Sequence, residues 1–107
     1  MKYYKNDGIE YIDGTKPKEV TIEVALKEVD RLPTTEDNFI GFINEKEDTI
    51  QFSRYEEDSW LLDVPILENG KFAYSLQNSD LTTEKVKEIA KKFFLGENWQ
   101  SLCSLKR

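Results

Sequence analysis

The sequence predicts an α+β fold: an antiparallel sheet of about four to five strands with two helices packed on one face. Three observations carry this. Residues 38 to 78 are rich in β-branched and aromatic residues and are punctuated by turn residues. Segments on either side of them repeat apolar residues at helical spacing. The chain has 107 residues, which suits one domain around one core.

Residues 1 to 17 read as a lead-in of uncertain structure. Tyr3, Tyr4, Ile9, Tyr11 and Ile12 are able to dock on a core, and Asp7-Gly8 and Asp13-Gly14 are turn signals. From Ile22 to Leu32 the residues Ile22, Ala25, Leu26, Val29 and Leu32 predict a helix, with Thr21 as its N-cap and Pro33 as its stop. The β-branched run Val20, Thr21, Ile22 leaves a strand open as the alternative. Segments 38–45, 49–57, 59–67 and 71–78 then read as a four-stranded meander. Asn69-Gly70 is its clearest turn, because a two-residue hairpin needs positive φ at both central positions.

Alternation places Ile50, Phe52, Trp60, Leu62, Val64, Ile66, Phe72, Tyr74 and Leu76 on one side of the sheet. It places Gln51, Ser53, Tyr55, Asp63, Ser75 and Gln77 on the other. The first strand is apolar on both sides and so is expected to be covered twice, and Gly41 within it is expected to admit a bulge or a close-packed side chain. A second helix opens at Thr82, its N-cap, with Leu81 and Val86 as a hydrophobic staple. Its stripe is Val86, Ile89, Ala90 and Phe93, with Phe94 as a further candidate, and Gly96 sits where a left-handed cap belongs. The tail from Trp99 to Leu105 reads as a last strand or a docked coil.

Charge is distributed unevenly. Residues 34 to 68 hold ten acids against only Lys46 and Arg54, and this block carries the whole acidic excess of a chain whose net charge is -6. Concentrated negative charge repels phosphate backbones and attracts basic surfaces, so direct nucleic-acid binding is disfavoured. Thirteen aromatics argue for a folded chain despite a charged fraction of 34%. No apolar run approaches the roughly 18 to 20 residues of a membrane span, and the first residues lack a signal peptide's apolar stretch. A cytoplasmic location is expected, and the single Cys103 agrees with a reducing compartment.

The chain has no His, which removes the commonest general base and metal ligand and forbids Ser-His-Asp and Cys-His arrangements. Zinc fails on ligand count. The acidic runs Glu45-Lys-Glu47-Asp48 and Glu56-Glu57-Asp58 offer oxygens but no EF-hand pattern. The glycines begin no phosphate-binding fingerprint. Cys103 would be a nucleophile only if Lys106 or Arg107 lowered its pKa, and a packed structural thiol is the simpler reading. Trp60 and Trp99 are expected in the core. Tyr55, on the polar face beside Asp63 and next to Glu56, Glu57 and Asp58, is an exposed aromatic ringed by acids, as a patch for a basic partner would be. No catalytic residue, cofactor or metal is expected.

The order of pieces carries a resemblance: a short helix ending in Leu-Pro, then Asn38-Phe-Ile-Gly-Phe-Ile43, Thr49-Ile-Gln-Phe52 and Trp60-Leu-Leu-Asp-Val-Pro65. A capped helix ending Phe93-Phe-Leu-Gly96 and then Trp99 follow. Over about residues 20 to 100 this resembles, in pattern and size, the small immunity proteins that guard bacteria against their own contact-dependent or polymorphic toxins. The resemblance implies an acidic, non-enzymatic protein that covers a basic cognate toxin, often a nuclease. The partner-binding residues expected from the charge map are Tyr55, Glu56, Glu57, Asp58 and Asp63, with Glu45, Glu47 and Asp48 second. Another interaction module, such as a phage accessory or adaptor protein, is the alternative, and a carboxylate-only enzyme stands behind both.

Overall fold

The computed structural model describes residues 1–35 and 37–107, and these form seven strands and two α-helices. In chain order they are β1 (Lys2–Asn6), β2 (Tyr11–Ile12), β3 (Lys18–Glu19), α1 (Ile22–Arg31), β4 (Phe39–Ile43), β5 (Thr49–Glu56), β6 (Ser59–Glu68), β7 (Lys71–Leu81) and α2 (Thr83–Leu95). A 3-10 turn at Gln100–Leu102 follows. Glu36, one of the ten acids of the middle block, lies outside the described residues. Among the described residues no helix is long and apolar enough to cross a membrane.

Local chemistry sets the helix ends. Thr21 Oγ1 accepts from Val24 N at 3.3 Å, and α1 stops where Leu32 turns extended ahead of Pro33. Thr82 Oγ1 accepts from Lys85 N at 3.1 Å, and Gly96, at φ +69°, closes α2 by donating to the Lys92 and Phe93 carbonyls. Asn69 and Gly70 both take positive φ in the β6–β7 hairpin.

The strands pair antiparallel in the order β2-β1-β4-β5-β6-β7, with β3 on the same edge of β1 as β2. The sheet thus has seven strands rather than four to five, and the additional ones come from the first 19 residues. β1 pairs with every residue of β4, from Lys2↔Ile43 to Asn6↔Phe39, which makes the supposed lead-in an interior strand. Its sequence hides this, because two lysines and an asparagine flank the tyrosines. Lys5 can face inward only because carboxylates meet it there.

Ile40 and Phe42 of β4, Ile50 and Phe52 of β5 and Trp60 and Leu62 of β6 are fully buried. They form one cluster with Ala25, Val29 and Leu32 and with Val86, Ile89, Ala90 and Phe93 of α2. Each large side chain so buried contributes roughly 1.5–3 kcal/mol, and the helical stripes have no other means of leaving water. Trp99 joins the cluster edge-on to Phe93, so both tryptophans are core residues.

Three bulges interrupt the alternation. Tyr55 is the extra residue between the pairs Arg54↔Trp60 and Glu56↔Ser59. Ala73 is extra between Ile66↔Tyr74 and Leu67↔Phe72, so Phe72 turns to the face opposite Tyr74 and stands 65% exposed. The core position expected for Phe72 is therefore corrected: period-2 reading fails across a bulge, so Phe72 takes the opposite face from Tyr74 and Leu76, which pair with Ile66 and Val64 as alternation predicts. The third bulge, at Ser79 and Asp80, carries Asp80 at φ +59°.

Gly41 is required by its neighbour. Tyr4 on β1 lies across it, and a Cβ there would stand 2.0 Å from Tyr4 Cζ. The ring also packs on Phe39, centroids 6.0 Å apart, and its hydroxyl donates to Gln51 Oε1 at 2.9 Å. This is the second cover that β4 needs. Gly41→Ala should therefore cost about 2–3 kcal/mol by overpacking, read as a shift in the urea midpoint. Adding Tyr4→Ala should leave the double variant more stable than the sum of the single losses.

Candidate functional site

The expected contact residues fall at two ends of one strand. Tyr55 and Glu56 end β5 and Glu57-Asp58 make the β5–β6 turn, Glu45 to Asp48 lie in the β4–β5 turn, and eight-residue β5 runs between the two ends, roughly 25 Å. The structure does not bring the two groups together. Asp63 lies apart from both: it pairs with Gln51, four residues or roughly 13 Å along β5 from Tyr55, and accepts from Gln77 Nε2 at 2.6 Å. The adjacency of Tyr55 and Asp63 expected from alternation is corrected by this register and by the bulge at Tyr55.

Arg54 builds the β5–β6 end from inside. The guanidinium is buried and lies 5.1 Å from the Trp60 ring centroid. Nε and Nη2 donate to the Glu57 carbonyl at 3.0 and 2.6 Å, while Nη1 donates to the Leu32 and Asp30 carbonyls at 2.9 and 3.3 Å. One side chain thus caps the end of α1 and pins the turn. Thr83 Oγ1 also donates to the Glu57 carbonyl, at 3.3 Å, and accepts from Trp60 Nε1 at 2.8 Å.

That framework sorts the acids. Asp58 Oδ1 accepts from Thr83 N at 2.7 Å, where the N-terminus of α2 favours a negative charge, so its carboxylate is structurally engaged. Glu57 is exposed, 3.7 Å from Arg54 Nη2, and Glu56 stands exposed beside it. Tyr55 is 50% exposed at the bulge. At the opposite end Glu45 binds the chain's amino group at 2.7 Å, and this hydrogen bond holds its carboxyl below the ordinary value. Asp48 accepts from Asn44 Nδ2 at 3.3 Å, and Glu47 supplies a positive φ to the turn.

The loop between β1 and β2 belongs to the Tyr55 end, because Asn6, Phe39, Ser53 and Leu61 pair in one row across the sheet. Sequence reading missed its role. Asp7 Oδ1 accepts from Ile9 N at 2.9 Å and Glu10 N at 2.7 Å, Asp7 N donates to Glu10 O at 3.2 Å, and Asn6 Oδ1 accepts from Gly8 N at 3.2 Å. Lys5 Nζ reaches Asp7 at 2.8 Å, Glu28 on α1 at 2.7 Å and Glu10 at 3.2 Å. Burial alone would lower the Lys5 pKa, but the hydrogen bonds to those carboxylates outweigh it and raise it.

Ile9 and Tyr11, expected to dock on a core, are 96% and 64% exposed. The turn bonds of Asp7 aim Ile9 outward, and Tyr11, paired with Asn6, stands on the face away from the buried cluster. The available signal was Asn6-Asp7-Gly8, whose side chains favour local turn bonds over pairing.

The chemistry on offer is sparse. Burial pushes the Cys103 thiol up to about 11, against the opposing influence of Lys85, which leaves it a poor nucleophile at neutral pH. Among the described residues no three carboxylates or thiols are placed to hold a metal ion. Asp7, Glu10 and Glu28 converge on the Lys5 ammonium instead. Tyr4 is raised to about 12 by burial, with Asp63 adding to it, so its phenol stays a hydrogen-bond donor.

No family model matches the chain, and no curated protein or solved structure matches it either.

Arg54→Met should cost about 2–4 kcal/mol, because it strands the carbonyls of Asp30, Leu32 and Glu57; equilibrium denaturation reads the loss. The Asp7 carboxyl is lowered from 3.8 to about 2, first by the Glu10 N–H and then by Lys5. Because its folded value is depressed, its stabilisation is full above the unfolded value and fades as pH falls from about 4 to 2. Asp7→Asn should flatten that part of the stability-pH curve, followed by thermal melts at closely spaced pH values.

Proposed function

We propose that this chain is a non-enzymatic, immunity-type inhibitor that binds a basic toxin domain and covers it. The observation that supports this best is the construction of the β5–β6 end. A buried arginine and a threonine hydroxyl fix the Glu57 carbonyl, so Tyr55, Glu56 and Glu57 are presented to solvent on a held backbone. Charged groups on a rigid support keep their field in place, and a partner finds them at little ordering cost.

On this reading the contact surface is one end of the sheet. Beyond the row Asn6-Phe39-Ser53-Leu61 stand Asp7 and Glu10, then Tyr55 to Asp58, with Asp80 in its bulge and Glu84 next to Thr83. Residues of both helices join the buried cluster, and on this reading the opposite face of the sheet beside this end is available to the same partner. Glu45, Glu47 and Asp48 lie at the opposite end, and Asp63, paired with Gln51, stands inside the sheet away from it. A cytoplasmic home suits the reduced Cys103.

The test is co-purification with the product of a neighbouring toxin-like gene, followed by kinetics on the purified pair. Glu56→Lys with Glu57→Lys should slow association about tenfold at low salt and weaken its salt dependence, with the melting temperature nearly unchanged. Unchanged association would remove the β5–β6 turn from the interface, and a complex with a non-toxin protein would replace the immunity reading.

A further inference from the structure

We propose that Ile9, flanked by Tyr11, is the apolar anchor by which the acidic end of the molecule seats in a socket on its partner, a hydrophobic pocket rimmed by lysine or arginine. The inference rests on the reading that the chain binds a basic protein, and it adds the residue on which affinity turns.

The argument begins with a mismatch between exposure and order. Ile9 has 96% of its surface in water, more than any other exposed large apolar residue of the described chain. Exposed apolar residues usually sit on pliant loops or lie flat among neighbours, and singly they need no explanation. This loop is not pliant. Each backbone N–H from Asp7 to Glu10 has an acceptor within the loop, two of them the same Asp7 oxygen. The 6% exposed Lys5 side chain ties Asp7 and Glu10, on either side of Ile9, to Glu28 on α1. Asn6 Nδ2 adds a bond to the Asp37 carbonyl at 3.4 Å.

Nothing in this bracing uses the Ile9 side chain, since only its N–H takes part and any polar residue would serve the turn. The side chain is held out for contact with something else. A fixed apolar projection gives up little freedom on docking, which is how buried anchors concentrate binding energy.

Neighbouring residues define the socket. Tyr11 stands beside the Asn6-Phe39 row and extends the apolar contact onto the open face. Asp7, Glu10 and Glu28 face the Lys5 ammonium and, 4.0 Å from Glu10, that of Lys18, so the base of the projection still carries excess negative charge, and Glu56 and Glu57 lie at the same end of the sheet. An apolar pocket with a cationic rim satisfies both features. A second copy of this chain meeting it through the same end would bring acid against acid.

The experiment places p-benzoylphenylalanine at position 9, at 55 and, as a control at the far end, at 47, followed by photolysis in cells and mass spectrometry of the adducts. The expected result is an adduct from 9 with one basic protein and none from 47. With that protein purified, Ile9→Asp should weaken binding at least about thirtyfold, the size of a hot-spot truncation, and Ile9→Val by no more than about threefold. The Ile9→Asp melting temperature should stay at the wild-type value, and Ile9→Ser serves as the second truncation. An adduct from 55 but not 9, or unchanged affinity in Ile9→Asp, overturns the anchor and leaves the proposed function standing. An adduct between two copies of this chain overturns the socket partner, and no adduct from 9 or 55 overturns both readings.

Discussion

A single buried guanidinium decides how this molecule closes. Arg54 lies on the face of β5 that otherwise carries Ile50 and Phe52, where a charge is costly unless every donor is met. It is met by the last carbonyls of α1 and by the turn after β5, groups that could not bond one another. A helix end leaves unsatisfied carbonyls and a tight turn leaves one more. The arginine answers both, and in doing so sets the distance between α1 and the β5–β6 hairpin. Trp60 packs under it and reaches Thr83, so α2 is referenced to the same point. Asp58 at the start of α2 completes the junction from outside.

That junction explains why a charge count along the chain reads only partly as a surface. The acids between residues 34 and 68 look like one block because they are close in sequence. A strand as long as β5 carries them to opposite ends of the sheet, and local needs then claim some of them. Glu45 neutralises the chain's own amino group, Asp58 serves a helix N-terminus, and Asp63 bonds Gln77. Conversely Asp7 and Glu10, which lie outside that block, join the Tyr55 end through the pairing of β1 with β4. Tertiary pairing, not proximity along the chain, assembles the field.

What could be read from the sequence was whatever rests on local physics. The caps Thr21, Thr82 and Gly96, the Asn69-Gly70 turn and the stripe of α2 each depend on neighbours within a few residues, and each stands where expected. The close approach at Gly41 was legible in kind, though nothing local named Tyr4 as its partner. The failures share one cause. β1 looks too polar to be interior until Glu28, more than twenty residues away, supplies a counter-charge for Lys5. Phe72 and Tyr55 were placed by an alternation that bulges reset, and a bulge is a property of two paired strands. Ile9 reads as able to dock on a core because it is apolar, whereas the bonds that turn it outward belong to Asp7.

Rigidity is the property these features have in common, and it bears directly on binding. The exposed end of the sheet is assembled from turns, which in most proteins are the least ordered parts. Here a buried arginine fixes one turn and a buried lysine another, each placed so that its donors reach backbone or carboxylate groups of two elements at once. Such charges are expensive to bury, and removing one would strand the carbonyls or carboxylates it serves. Their effect is geometric: they leave the turns one arrangement instead of many. A surface fixed in this way loses little entropy when a partner closes on it, so affinity can reside in few side chains and a small domain can hold a larger one.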